Sequence, residues 1–273
     1  LEEALKIRQL RLPNSEKVAT TYERIGTFAR EIGKTKKAEN AFNEALNIRI
    51  KLYGDKHENV AAIYQDLGDL MDDLGEHQYA MDYYVLALEI RKERLGSDHL
   101  LVAETMHSMG FSLHHSGQTD RALECFQECL LVRSHNFGED SAEVGDTLNM
   151  IGFLTARKGE LGDAMTFLWD ALRIRKHHND DIKVSETLKN IGNIHREKQE
   201  YDMALECYDK CLEIRRSELG EDHEKVADAL IAMGNVQNIM QKTDEAMRSY
   251  QEALKILTLV FGEHDEGVAS VLQ

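Results

Sequence analysis

One period organises this chain and leaves few folds open to it. Gly26, Gly68, Gly110, Gly152, Gly192 and Gly234 each follow a large apolar residue and stand 42, 42, 42, 40 and 42 positions apart. Twelve residues after each glycine comes Ala38, Ala80, Ala122, Ala164, Ala204 or Ala246. Sixteen after comes a large residue, Phe42, Tyr84, Phe126, Leu168, Tyr208 or Tyr250, and nineteen after a small one, Ala45, Ala87, Cys129, Ala171, Cys211 or Ala253. Val18, Val60, Val102, Val144, Val184 and Val226 lie eight before, and Val268 opens a seventh unit. Periods of this length mark stacked supersecondary units that share one continuous core.

Within a unit, apolar residues at −8, −4, −1 and 0 from the glycine form one stripe of a 3.6-residue helix, helix A. Glycine at 0 and small residues at +12 and +19 allow a second helix, helix B, to approach closely. With only 1 Pro in 273 residues and 30% charged residues, the composition suits long helices. Gly33, Gly75, Gly117 and Gly159 are placed to end helix A in a left-handed cap. Gln199 and Gln241 stand there in the last two units, so those turns are expected to differ. Gly54, Gly96, Gly138, Gly220 and Gly262 stop helix B, after which a polar Asp or Ser, such as Asp98, Asp140 or Asp222, is expected to cap the next helix A.

The expected fold is all-α: a right-handed solenoid of antiparallel hairpins. It would run as one domain over 1–273, with repeats near 15–54, 57–96, 99–138, 141–178, 181–220 and 223–262. Residues 1–10 read as a partial helix B and 264–273 as a partial helix A, as in part of a longer protein. The junction at 175–181 is two residues short, so the fourth helix B should end early, with a slightly altered angle to the next pair.

Gly at 0, Ala at +12, an aromatic at +16 and Ala at +19 resemble the tetratricopeptide repeat. The connecting phrase from Ala87 through Ile90-Arg91 and Leu95-Gly96 to Val102-Ala103 resembles its 42-residue form in kinesin light chain-like and nephrocystin-like proteins. The resemblance implies that helix A lines the concave wall of the superhelix and binds partner segments there. In such repeats Asn residues just before position 0 serve peptide binding. Here they occur singly, as Asn149 and Asn190, and a chaperone-type carboxylate clamp is incomplete, with Lys189 and Asn193 present but Ala232 at the next Asn place.

With the core stripe packed, positions −3, +1 and +4 of helix A remain for a ligand. The candidate groove comprises Asp69, Asp72, His107, Phe111, His114, Asn149, Phe153, Arg157, Lys189, Asn190, Asn193, Arg196, Asn235 and Asn238. Asn offers both donor and acceptor to peptide backbone, and Phe111 with Phe153 would flank an apolar anchor. The aspartates favour a basic ligand end, and Lys189 with Arg196 a carboxylate. Packing on neighbouring helices also accounts for the two Phe, and solvated surface for the Asn series and the Asp66–Asp73 cluster.

A formal charge of −16 argues against nucleic acid as the main partner. No run approaches the ~18 apolar residues of a membrane span. Neither a phosphate-binding glycine loop nor a nucleophile elbow occurs, so no enzyme activity and no cofactor are expected. Cys125/Cys129 and Cys207/Cys211 read as small buried helix-B residues in a reducing, cytoplasmic setting. Among 12 histidines, His57, His99 and His223 recur as repeat features. His107, His114 and His115 suggest a pH-responsive groove, and no metal site is expected. The function expected is a scaffold or adaptor taking a protein or peptide segment. The alternatives are an architectural subunit that self-associates or packs laterally, and a sensor region of an enzyme outside this chain.

Overall fold

The computed structural model describes residues 2–12 and 14–262; the partial helix A expected at 264–273 lies outside the described residues. The described residues form thirteen helices and no strand. They fall into two compact units divided at residues 139 and 140.

Unit 1 holds α1 (Glu2–Arg11), α2 (Glu16–Glu31), α3 (Thr35–Tyr53), α4 (Glu58–Asp73), α5 (His77–Leu95), α6 (Leu100–His115) and α7 (Thr119–Phe137). Unit 2 holds α8 (Ala142–Arg157), α9 (Leu161–His177), α10 (Asp181–Glu197), α11 (Tyr201–Leu219), α12 (Glu224–Ile239) and α13 (Thr243–Phe261). In both units each even-numbered helix is a helix A, packed most closely on the helix B that follows it. Each B helix then meets the next A helix of its unit. No helix among the described residues is long and apolar enough to cross a membrane.

The repeat positions have the packing role read from their spacing. The valines at −8 and the small residues at +12 and +19 are at most 2% exposed in all six units. The glycine at 0 has a definite partner: the +16 side chain of its own hairpin lies across it. A Cβ added at Gly26 or Gly68 would sit 2.5 Å from the ring of Phe42 or Tyr84; at Gly152 it would be 2.7 Å from Leu168. Carbon atoms settle at about 3.5–4.0 Å, so nothing larger than hydrogen fits.

Helix ends show two departures from expectation. His57, His99 and His223, not the aspartates, occupy the N-caps, and their Nδ1 atoms accept the backbone N–H of Asn59, Leu101 and Lys225 at 3.1 Å. The glycine that stops helix B has φ of 85–90° and ψ near 160°, an extended turn that delays the next helix. Asp98, Asp140 and Asp222 are thereby left one residue outside the cap; Ser141 and Asp180 cap α8 and α10. Secondly, Gln199 and Gln241 do not change their turns. They adopt φ of 62° and 61°, beside 69–86° for the glycines at that place. The closing bonds match too: Glu200 N–H donates to His195 C=O at 2.8 Å, as Lys34 N–H does to Ala29 C=O. The hairpin fixes the turn, and these glutamines accept a conformation that disfavours side chains.

Helix α9 does end early, at His177, two residues short of the other B helices. Asn179 (φ 53°) reverses the chain and Asp180 starts α10.

Candidate functional site

Helix A faces are set by arginines whose role the repeat pattern did not disclose. Arg49, Arg91, Arg175 and Arg215 recur in the Ile-Arg phrase of helix B, and each is only 3–5% exposed. Each guanidinium reaches the first turn of the next helix A and donates to a carbonyl there: Asn59, Leu101, Lys183 or Lys225, at 2.5–3.0 Å. These carbonyls belong to the helix interior, so the guanidinium adds a second donor that ties neighbouring hairpins together. Arg49 is balanced by Glu16 and Glu23, Arg175 by Asp146 and Arg215 by Asp228. Arg91 hydrogen-bonds the neutral side chains of Gln65 and Thr105, and burial lowers its proton affinity against the more distant pull of Glu104, Asp69, Asp66 and Glu58. The constant place of Arg in the repeat was the available signal.

A second link sets position +1. Where +16 is tyrosine, its hydroxyl donates to the +1 residue of helix A: Tyr84 to Asp69 at 2.9 Å, Tyr208 to Asn193 at 2.7 Å, Tyr250 to Asn235 at 2.8 Å. Where +16 is Phe126, position +1 is Phe111, and the rings meet edge to face with centroids 5.3 Å apart. Asp69, Asn193, Asn235 and Phe111 are thus held by their own hairpins. Burial raises the Tyr208 hydroxyl to about 12, so it remains a donor.

In unit 1 the fold gathers Asp69, Asp72 and Phe111 around one open hollow of about 310 Å³, together with Arg30, Asp73, Tyr84, Ser108 and His115. Arg30 spans two of the acids, 2.6 Å from Asp73 and 3.4 Å from Asp69. Beside them the Asp66 carboxyl is pushed up to about 7 by burial and by Glu23 and Asp69, against the opposing pull of Arg30 and Arg49. His107 packs edge-on against Phe111 and Phe126, at 4.8 and 5.5 Å. His114 lies beside His115. His77, which the spacing did not single out, joins Asp72 and His115: one ligand atom from each lies within 4.8 Å of the others.

In unit 2 the predicted residues divide. Asn149 is buried, and its side-chain carbonyl accepts from Asn190 Nδ2 at 3.2 Å. Asn190 rather than Asn149 therefore presents this pair outward. Lys189 is held 2.5 Å from Asp228, so the expected carboxylate reading rests on the half-buried Arg196. Burial raises the Asp228 carboxyl, but Lys189 and Arg215 outweigh it and hold the group below its ordinary value. Phe153 is half-buried on α8, and Arg157, Asn235 and Asn238 are exposed. Cys129 and Cys211 are buried, and burial pushes the Cys125 and Cys211 thiols up to about 11, which favours the protonated thiol at neutral pH.

A family model, Tetratricopeptide repeat, matches residues 17–93, 82–129, 101–177 and 183–259. No curated protein matches the chain in sequence. Among solved structures, BtubC (BKLC) from P. vanneervenii superposes with a TM-score of 0.65 at 18% identity, covering 90% of this chain and 94% of that one. A Podospora anserina kinesin light chain-like protein of nearly identical repeats gives 0.63 at 12% identity, over 75% and 98%. The apo form of RapI gives 0.66 at 15% identity, over 89% and 98%. At these identities the structures establish likeness of fold, while the family model accounts for nearly all of the described helices. The chain belongs to the tetratricopeptide repeat family.

Proposed function

We propose that this chain is an adaptor that takes an extended partner segment against its helix A faces. The fold itself is that of a protein-interaction scaffold. The observation that carries the finer reading is the unit 1 hollow, which Phe111 lines together with Asp69 and Asp73. An apolar wall beside carboxylates suits a Lys or Arg side chain, whose methylenes and charge need different surroundings. Arg30 already partners both acids, so a basic ligand would compete for them and gain specificity from that exchange. In unit 2, Asn190, Asn193, Asn235 and Asn238 support hydrogen bonding to peptide backbone.

The test is a selection of displayed peptides against the whole chain in the presence of a chelator, repeated with Phe111→Ala and Asp73→Asn. Enriched sequences should carry Lys or Arg next to an apolar residue and lose about tenfold or more in affinity to each variant. Equal affinity for the wild type and both variants would remove the hollow from the binding site.

Lateral packing through helix B is the second reading, and one observation favours it. Trp169 and Met203 are each 52% exposed and line an open hollow in unit 2 with Leu172, Leu188 and Ile214. Light scattering that stays monomeric over a wide concentration range would count against it.

A further inference from the structure

We infer that Asp72, His77 and His115 form a binding site for a divalent transition-metal ion of the zinc, nickel or copper class. The inference stands apart from peptide binding and goes beyond it. Asp72 lies in the last turn of α4 and His77 begins α5. Between them Gly75 takes φ of 75° and Glu76 N–H donates to Met71 C=O at 2.9 Å, which folds His77 back over Asp72. His115 ends α6, on the next hairpin.

The Asp72 carboxylate reaches both rings. Its Oδ1 is 2.8 Å from His77 Nδ1 and its Oδ2 is 3.9 Å from His115 Nδ1. The ring centroids are 5.6 Å apart. Ligands bound tetrahedrally at 2.0–2.2 Å are separated by roughly 3.3–3.6 Å, so the hydrogen-bonded gap of 2.8 Å must open slightly and the wider gaps, none above 4.8 Å, must close on the metal. The adjustment falls on His115, whose side chain is 52% exposed, while Asp72 and His77 are mostly buried at 18% and 23%. Two imidazoles and a carboxylate select borderline metals, whereas calcium and magnesium prefer all-oxygen shells. Three protein ligands leave a coordination position open, and Asp72 and His115 also line the hollow that holds Phe111 and Asp69. Around the site, Arg30 is engaged by Asp69 and Asp73, and His114 lies against His115.

The test uses the whole chain, free of any affinity tag and stripped with a chelator. Cobalt(II) is titrated by visible absorption and zinc(II) by calorimetry. One ion per chain is expected, with a tetrahedral or five-coordinate cobalt spectrum. His77→Ala and His115→Ala should each lower affinity at least tenfold, while His177→Ala, in unit 2, and His99→Ala leave it unchanged. Because His77 borders a turn, copper(II) paramagnetic resonance of His115→Ala gives a second reading: coupling to two nitrogens should fall to one. Absence of saturable one-to-one binding would overturn the site, as would affinity that survives loss of both His77 and His115.

Discussion

Gly192→Ala sets two effects of known sign against each other. Alanine is the better helix former by about 1 kcal/mol, and on propensity alone the variant should be more stable. The packing says otherwise. An added Cβ would lie 2.6 Å from Tyr208 Cε1, 2.9 Å from Cδ1 and 3.1 Å from Cζ. Restoring ordinary carbon contact requires the ring to retreat by about 1 Å. Tyr208 has 0% exposure and its hydroxyl is fixed on Asn193 at 2.7 Å, so retreat disturbs a closed core and that bond. Overpacking of this kind costs about 1–3 kcal/mol and the weakened hydrogen bond about 1, leaving a net loss of about 1–3 kcal/mol after the gain in propensity. The assay is urea unfolding followed by circular dichroism. Amide exchange across α10 and α11 accompanies it, since repeat arrays open locally. Gly162→Ala, also in a helix but with nothing within 4 Å of the added atom, is the control and should be neutral or slightly stabilised. In a Tyr208→Ala background the Gly192→Ala penalty should largely vanish. If Gly192→Ala proves as stable as Gly162→Ala, the ring does not dictate glycine and the packing argument is wrong.

Gln199→Gly and Gln241→Gly should each stabilise the protein by about 1 kcal/mol by relieving the left-handed residue; a lower melting temperature in either would contradict this. Arg49→Met leaves Glu16 and Glu23 without their partner, Glu23 beside the part-buried Asp66, and should cost about 3–5 kcal/mol. Arg91→Met orphans no charge and should cost about 1–2, so equal losses on urea unfolding would refute the difference drawn between them. Asp66 makes stability depend on pH. Its folded value of about 7 exceeds the ordinary 3.8, so the unfolded chain releases this proton first and stability falls as pH rises between those values. Asp66→Asn should therefore raise the melting temperature at pH 8, by the equivalent of about 1–4 kcal/mol, and change little at pH 4. A gain of the same size at both pH values would show that the carboxyl is not perturbed.

The hairpins were legible because one local unit is written six times. Apolar residues at −8, −4, −1 and 0, with small ones at +12 and +19, state which faces pack; burial answers in every unit at −8, 0, +12 and +19, while Tyr22, Tyr64 and Met233 of the stripe are only partly buried. Position +16 was legible as a large residue, but its lying over the glycine is a relation between two helices. The caps were misread for a similar reason. Asp98 is an ordinary N-cap by residue type, yet the extended glycine turn of helix B decides where the next helix starts and gives the cap to His99. Gln199 shows the same precedence of the hairpin over the residue.

The candidate site was read as a face, the −3, +1 and +4 positions that remain once the packed stripe of helix A is subtracted, yet Gln65 and Asn149 at −3 are buried. Its wiring was not legible. Lys189 meets Asp228 from the next hairpin, Asn190 covers Asn149, and Tyr84 takes part of Asp69; each pairing joins residues 15 to 41 apart. His77 illustrates the limit: nothing at helical spacing marks it, and only the turn at Gly75 and the neighbouring α6 bring it to Asp72 and His115. Sequence by itself determined the helices, their pairing and the family, because those depend on short-range periodicity repeated along the chain. The tertiary structure alone decided which polar groups are already engaged and which converge, because a hydrogen bond or a ligand set depends on distances between hairpins.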